Sequence, residues 1–223
     1  MDAAYNVLTT IFKDTIIPVI GESVKSAPDA LFLGTALLSF LTQSFPLLIF
    51  LLALIEFAVG IRFIGGIVTA VRPDLVSMTQ TCRQGFPEGG SLAALAGATS
   101  TATKSPHFTV SSLTAAALYL LFSLTSKSES LQALGESWAA RIPTSFSVTT
   151  AILLTIFFGL YITNCISIGN MLFSIVVGII LGGTAFYIND AFFGPEATNF
   201  QGLPLLLSKF QEGDPVYVCS KIQ

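Results

Sequence analysis

Two uncharged, mostly apolar segments, 147–162 and 171–188, are separated by only eight residues, 163–170. A bilayer core of ~30 Å needs about 20 apolar residues at 1.5 Å each, and both segments come close to that. The link between them is too short to be a domain, so the two helices lie antiparallel. Each carries small residues at every fourth position: Ala151, Thr155 and Gly159 on the first, Ser174, Gly178 and Gly182 on the second. Small residues let helix backbones approach closely, which drives association where lipid supplies no hydrophobic effect. The expectation is a membrane hairpin packed through these two stripes.

Composition agrees with a chain built for lipid. Of 223 residues, 52% are hydrophobic and only 10% charged, against about 25% charged in ordinary soluble proteins. Mean hydropathy is +0.77. A net charge of −3 offers no basic footprint for nucleic acid. Three cysteines, Cys82, Cys165 and Cys219, form neither a disulfide framework nor a metal-ligand spacing. The single histidine, His107, excludes a histidine-cluster metal site. No cofactor is expected.

No signal peptide is expected at residues 1–26, because Asp2 and Asp14 stand where a positive region would be. Ala4, Val7, Leu8, Ile11 and Phe12 recur at helical spacing and predict an amphipathic helix over 3–17, lying on the membrane and stopped by Pro18. Residues 31–55 carry no charge and predict one span, kinked at Pro46. Thr35, Ser39, Thr42 and Glu56 share a face of it that should point at protein. Apolar character resumes through Val71, and a straight helix over 31–71 would be about 60 Å long, so a projection or a break near residues 60–66 is expected. A long contact loop, 72–106, follows.

The next span, 107–125, is the weakest by hydropathy because Thr109, Ser111, Ser112 and Thr114 cluster in its first half. A polar link, 126–143, holds Trp138 where an interfacial anchor would sit. The hairpin comes next, with spans at 147–163 and 171–188, and then a turn-rich tail, 189–223. The fold class is thus an all-α, four-span membrane domain with an N-terminal interfacial helix. Four spans divide Lys and Arg six against four between the two sides, which leaves orientation open.

Few residues bear chemistry. Glu56 and Arg62 are the charges nearest the first span, and a charge at membrane depth is a functional hint by default. Six residues apart, they point about 120° away from each other on a straight helix. Marking the membrane interface or binding partner groups is the favoured role, ahead of an ion or proton pathway, for which the spans offer no second carboxylate or histidine. A Cys82–Cys165 disulfide would need an oxidising compartment; inert thiols are the plainer reading. His107 reads as an interface residue at a span start. Gly85, Gly89 and Gly90 lack the Gly-Lys-Ser/Thr of a phosphate loop and read as turn glycines.

At Leu52-Ala53-Leu54-Ile55-Glu56-Phe57 with Arg62, at Cys82-Arg83-Gln84-Gly85-Phe86, and at Ser105-Pro106-His107-Phe108, the chain resembles the four-span inner-membrane or minor capsid proteins of large icosahedral DNA viruses, particularly those infecting algae. That resemblance covers about residues 50–120 and implies a structural role linking a protein shell to an internal membrane, with no catalytic residue. The favoured function is accordingly a structural integral membrane protein of a larger assembly, virion or cellular. An accessory subunit of a cellular membrane complex and a small transporter or channel are the alternatives. The expected partners are the lipid bilayer and other proteins, met through 72–106 and 189–223, with no nucleic acid and no small-molecule substrate.

Overall fold

The computed structural model describes residues 17–71, 77–78, 92–96, 102–103, 105–129 and 140–199. Over these the chain is helical: α1 (Ile17–Thr42), α2 (Phe45–Val71), the one-turn α3 (Leu92–Leu95), α4 (Phe108–Ser126), α5 (Arg141–Ile162) and α6 (Ile168–Phe193). Two residue pairs, β1 (Ser77–Met78) and β2 (Ala102–Thr103), form a minimal antiparallel ladder between α2 and α4, with Ser77 opposite Thr103. All helices except α3 are long and apolar enough to cross a membrane, giving five among the described residues where four were expected.

The difference arises at residues 43–44. Instead of one kinked span over 31–55, α1 ends at Thr42 and α2 starts at Phe45. Between them Gln43 adopts a left-handed φ of 49°, which reverses the chain. Pro46 is then the second residue of α2, where a missing N–H breaks no intrahelical bond. Ser44 accepts the first bond of the new helix from Leu48 N–H at 3.1 Å. Pro18 likewise is the second residue of α1, and Pro28 lies inside it. The interfacial helix over 3–17, the Trp138 anchor, the glycines at 85–90 and the tail beyond residue 199 lie outside the described residues.

Burial is inverted relative to a soluble protein. Leu37, Phe40, Leu41, Phe63, Leu154 and Phe158 are each more than half exposed. Buried polar and charged groups meanwhile include Lys25, Asp29, Thr35, Ser39, His107, Ser111, Ser174 and Asn189. Thr35 and Ser39 thus face protein as the helical-face argument required; Thr42 is exposed and bonds its own helix at the Leu38 carbonyl, 2.6 Å away. An apolar exterior around a polar-seamed interior suits a helix bundle bathed in lipid.

The main core forms where Phe50, Ala53, Leu54, Phe57, Ala58 and Ile61 of α2 meet Phe108, Ala115, Ala116 and Tyr119 of α4 and Ala185 and Phe186 of α6. A second cluster, at the end of the bundle that carries the α5–α6 turn, gathers Val24, Val110, Phe157, Leu160, Cys165 and Ile166. Ser167 caps α6, its side chain accepting from Asn170 N–H at 3.3 Å. Gly194 ends that helix at φ 82°, a value an L side chain rarely adopts. Helix α6 therefore runs five residues past the expected span end, taking Asn189 and Asp190 out of the tail and into the bundle.

Charged residues fix α3 at the Cys165 end. Asp29 of α1 accepts from the buried N–H of Ala93 at 3.0 Å, and Arg62 of α2 donates to the Leu95 carbonyl at 3.2 Å. An acid at the start and a cation at the end oppose the helix dipole in the favourable sense. Leu92 and Ala93 are buried in the main core, so this part of the 72–106 loop is spent on the protein itself rather than on a partner. Replacing Asp29 with alanine leaves the Ala93 N–H buried and unpaired, at a cost of about 1–3 kcal/mol. Limited proteolysis of detergent-solubilised protein should then cut within 72–104 roughly ten times faster. Exposed Arg62, changed to alanine, should give a smaller acceleration.

Candidate functional site

The α4–α6 contact is the most extensive in the bundle, and the polar chemistry gathers along it. Four pairs define its register: His107 with Ser174, Ser111 with Gly178, Ala115 with Gly182, and Tyr119 with Phe186. Each pair is 67 residues apart, so the helices run parallel and in step, advancing four residues at a time. Small residues make this possible. A Cβ at Gly182 would lie 2.5 Å from the Ala115 carbonyl oxygen and 2.9 Å from its Cα, and one at Gly178 would lie 2.7 Å from the Ser111 carbonyl oxygen.

The Ser174, Gly178, Gly182 stripe therefore does meet another helix, but the partner is α4 and not α5. Ala151 and Thr155 of α5 are exposed and Gly159 is partly buried; α5 makes its extended contacts with α1 and α4. Sequence spacing shows that a face is small without showing what covers it. The matching partner was the helix whose Ser111 and Ala115 also stand four apart, read only as a weak span.

Two polar clusters clip α4 to α6. At the Cys165 end, the Ser174 hydroxyl accepts from His107 N–H at 2.8 Å and donates to the Asn170 carbonyl at 2.6 Å. Ser111 donates to the Ser174 carbonyl at 3.0 Å, and Ser105 to Asn170 Oδ1 at 2.9 Å. His107, the residue just before α4, is fully buried, and neither ring nitrogen has a hydrogen-bond partner among the described residues.

The second cluster lies toward the opposite end. Asn189 Nδ2 donates to Glu56 Oε2 at 3.4 Å and to the Tyr119 hydroxyl at 3.5 Å, joining α6 to α2 and α4. One residue on, Asp190 Oδ1 accepts from Thr198 Oγ1 at 2.9 Å, while Ser123 of α4 donates to the Thr198 carbonyl. These bonds fold residues 194–199 back against the bundle, burying Ala197, Thr198 and Asn199. Glu56 and Arg62 thus serve separate contacts, one within the helix bundle and one on α3. Asp190, like Asp29 of α1, is a further carboxylate within the long apolar helices.

Cys165 is buried and disulfide-bonded, which corrects the reading of inert thiols. Its partner, Cys82 or Cys219, lies outside the described residues. Open apolar grooves lie on the outer surface, one of about 680 Å³ beside the α1–α2 turn against Phe40, Leu41 and Phe45, another of about 570 Å³ along Val59, Phe63 and Ile67. Neither is lined by a residue of the two polar clusters. Among the described residues no group of three His, Cys, Asp or Glu is placed to hold a metal ion. The geometry is that of a clasp between helices. Compared with known proteins, the chain matches no family model, no curated protein and no solved structure.

Proposed function

We propose that the protein is a structural integral membrane protein, crossing the bilayer five times and anchoring a larger assembly without turning over a substrate. One observation carries this reading: the buried side chains of Ser111, Ser174 and Asn189 are engaged helix to helix. The Ser174 hydroxyl both accepts from α4 and donates within α6, and Asn189 reaches two other helices at once. Polar groups arranged this way fix helix positions in a medium without a hydrophobic effect.

The exposed apolar faces of α1, α2 and α5 meet lipid or neighbouring subunits. The resemblance at residues 52–57, 82–86 and 105–108 makes a viral shell laid on an internal membrane the first assembly to test, and a cellular membrane complex the second. Isolation from native membranes in mild detergent, followed by chemical cross-linking, should recover the chain at fixed stoichiometry with other proteins. Recovery as a lone monomer under all mild conditions would contradict the reading. A transport reading draws on Glu56, half-way along α2 and bonded to the buried Asn189. Ion or proton flux in proteoliposomes, abolished by Glu56→Gln, would replace the structural proposal with that one.

A further inference from the structure

We infer that the end of the bundle bearing Cys165 faces an oxidising compartment, and that Cys82 is the partner that Cys165 holds there. The inference rests on the membrane-spanning reading above and adds to it an orientation that charge counting could not give. Three observations carry it.

First, Cys165 is disulfide-bonded and lies in the turn between α5 and α6, not within a span. Disulfides form and persist in oxidising compartments and are rare where thiol reductants act. Second, the helix contacts place the chain's crossings. Phe45 and Phe193 stack edge-on at 6.4 Å between ring centroids, so the start of α2 and the end of α6 share one face, with residues 43–44. Gly65 lies beside Ser105 and Pro106, and Val24 clusters with Val110, Cys165 and Ile166. The start of α1, the end of α2, the start of α4 and the α5–α6 turn therefore share the other face.

Third, this arrangement discriminates between the two remaining cysteines. The segment holding Cys82 leaves α2 at Val71 and rejoins the bundle at Ser105, both on the Cys165 face. The chain beyond Asn199 departs from the opposite face, where Ser123 and Asp190 hold Thr198. For Cys219 to reach Cys165 the chain would have to cross the bilayer again. The Cys82 bond joins the loop between α2 and α4 to the turn between α5 and α6, and so ties the outer helix α5 to the bundle covalently. Its formation removes two electrons and two protons from the paired thiols by thiol–disulfide exchange with a protein disulfide of the compartment, which is reduced to two thiols.

The test uses the full chain inserted into sealed endoplasmic-reticulum microsomes, whose lumen is oxidising. Carbonate extraction first establishes whether the chain is integral; release into the supernatant would sink the membrane reading itself. With integration established, a membrane-impermeant maleimide is added outside, and peptides are mapped without reduction. We expect close to one label per chain, on Cys219, before the membrane is opened. A Cys82–Cys165 linked peptide should separate only after reductant is added to the denatured protein. Recovery of Cys165 as a thiol, its linkage to Cys219, or protection of Cys219 until detergent is added would each overturn the inference. A Cys165→Ser variant should leave Cys82 as a second, lumenal thiol that labels only after permeabilisation.

Discussion

Gly182→Leu should abolish the close α4–α6 contact and with it the stable bundle. A Cβ alone at this position comes within 2.5–3.1 Å of the backbone carbonyl oxygen, Cα and carbonyl carbon of Ala115. Backbone cannot swing aside as a side chain can, so the helices must separate or shear. Overpacking typically costs 1–3 kcal/mol where neighbours can adjust; here they cannot, and roughly 3 kcal/mol or more is expected. The loss spreads, because separation along this register also stretches the Ser174 and Asn189 bonds at its two ends. Thermal denaturation in detergent, followed by circular dichroism or by aggregation, should show a large fall in the midpoint. Gly60→Leu provides the internal comparison. The Cβ there meets only the flexible end of Leu181, so a smaller shift is expected.

Tyr119→Ala is the second large effect, and it separates packing from hydrogen bonding. The ring is fully buried and touches Phe50, Phe57 and Phe186, with centroid separations of 5.6, 6.3 and 5.6 Å. Deleting a buried aromatic costs about 3–5 kcal/mol in water-soluble cores. In lipid the transfer part weakens, because the unpacked helices already sit in an apolar medium, so roughly 2–3 kcal/mol should remain from the cavity and the lost ring contacts. The hydroxyl is expected to matter less. Interhelical hydrogen bonds in membranes average about 0.6 kcal/mol, and the bond from Asn189 is long at 3.5 Å. Tyr119→Phe should therefore shift the detergent midpoint only slightly, while Tyr119→Ala shifts it strongly. Equal effects from the two would mean that the polar cluster, and not the aromatic packing, holds this part of the core.

How much of this was legible depends on which physical signal each feature leaves in a sequence. Long uncharged runs reveal helices: the spans expected at 107–125, 147–163 and 171–188 meet helices at 108–126, 141–162 and 168–193, the last two extended beyond the uncharged runs to take in Arg141 and Asp190. The break at residues 43–44 was hidden because the 25-residue uncharged run across it also fits a bilayer. Its trace was local: Thr42-Gln43-Ser44 followed by Phe45-Pro46, a polar stretch with proline just inside a new helix.

The weak hydropathy of α4 carried more information than its rank among the spans suggested. Of the five long helices it is the most buried, and in lipid a helix with Ser and Thr on several faces is stable only when other helices surround it. Low hydropathy in an otherwise spanning segment thus marked the centre of the bundle. The uncharged run ends at Ile188 and so assigns Asn189 and Asp190 to the tail, yet the helix terminates only where Gly194-Pro195 stops it. The bond between Glu56 and Asn189 joins residues 133 apart, and no local pattern encodes such a pairing. Span counting does put Cys82 and Cys165 on one side and Cys219 on the other, but it does not show that Cys165 is bonded.

The proposed five crossings depend on the turn at residues 43–44, and Gln43→Cys measures it directly. The variant, carried in the full chain and sealed in oriented vesicles, is exposed to a membrane-impermeant maleimide from each side in turn, with the site of modification read by peptide mapping. Five crossings predict rapid labelling of position 43 from one side only, the side from which a cysteine placed at Ser126 also reacts and one placed at Ser167 does not. Position 43 unreactive from both sides until the protein is denatured would put it inside the bilayer, as a single span over 31–55 requires, and would contradict the five-helix bundle.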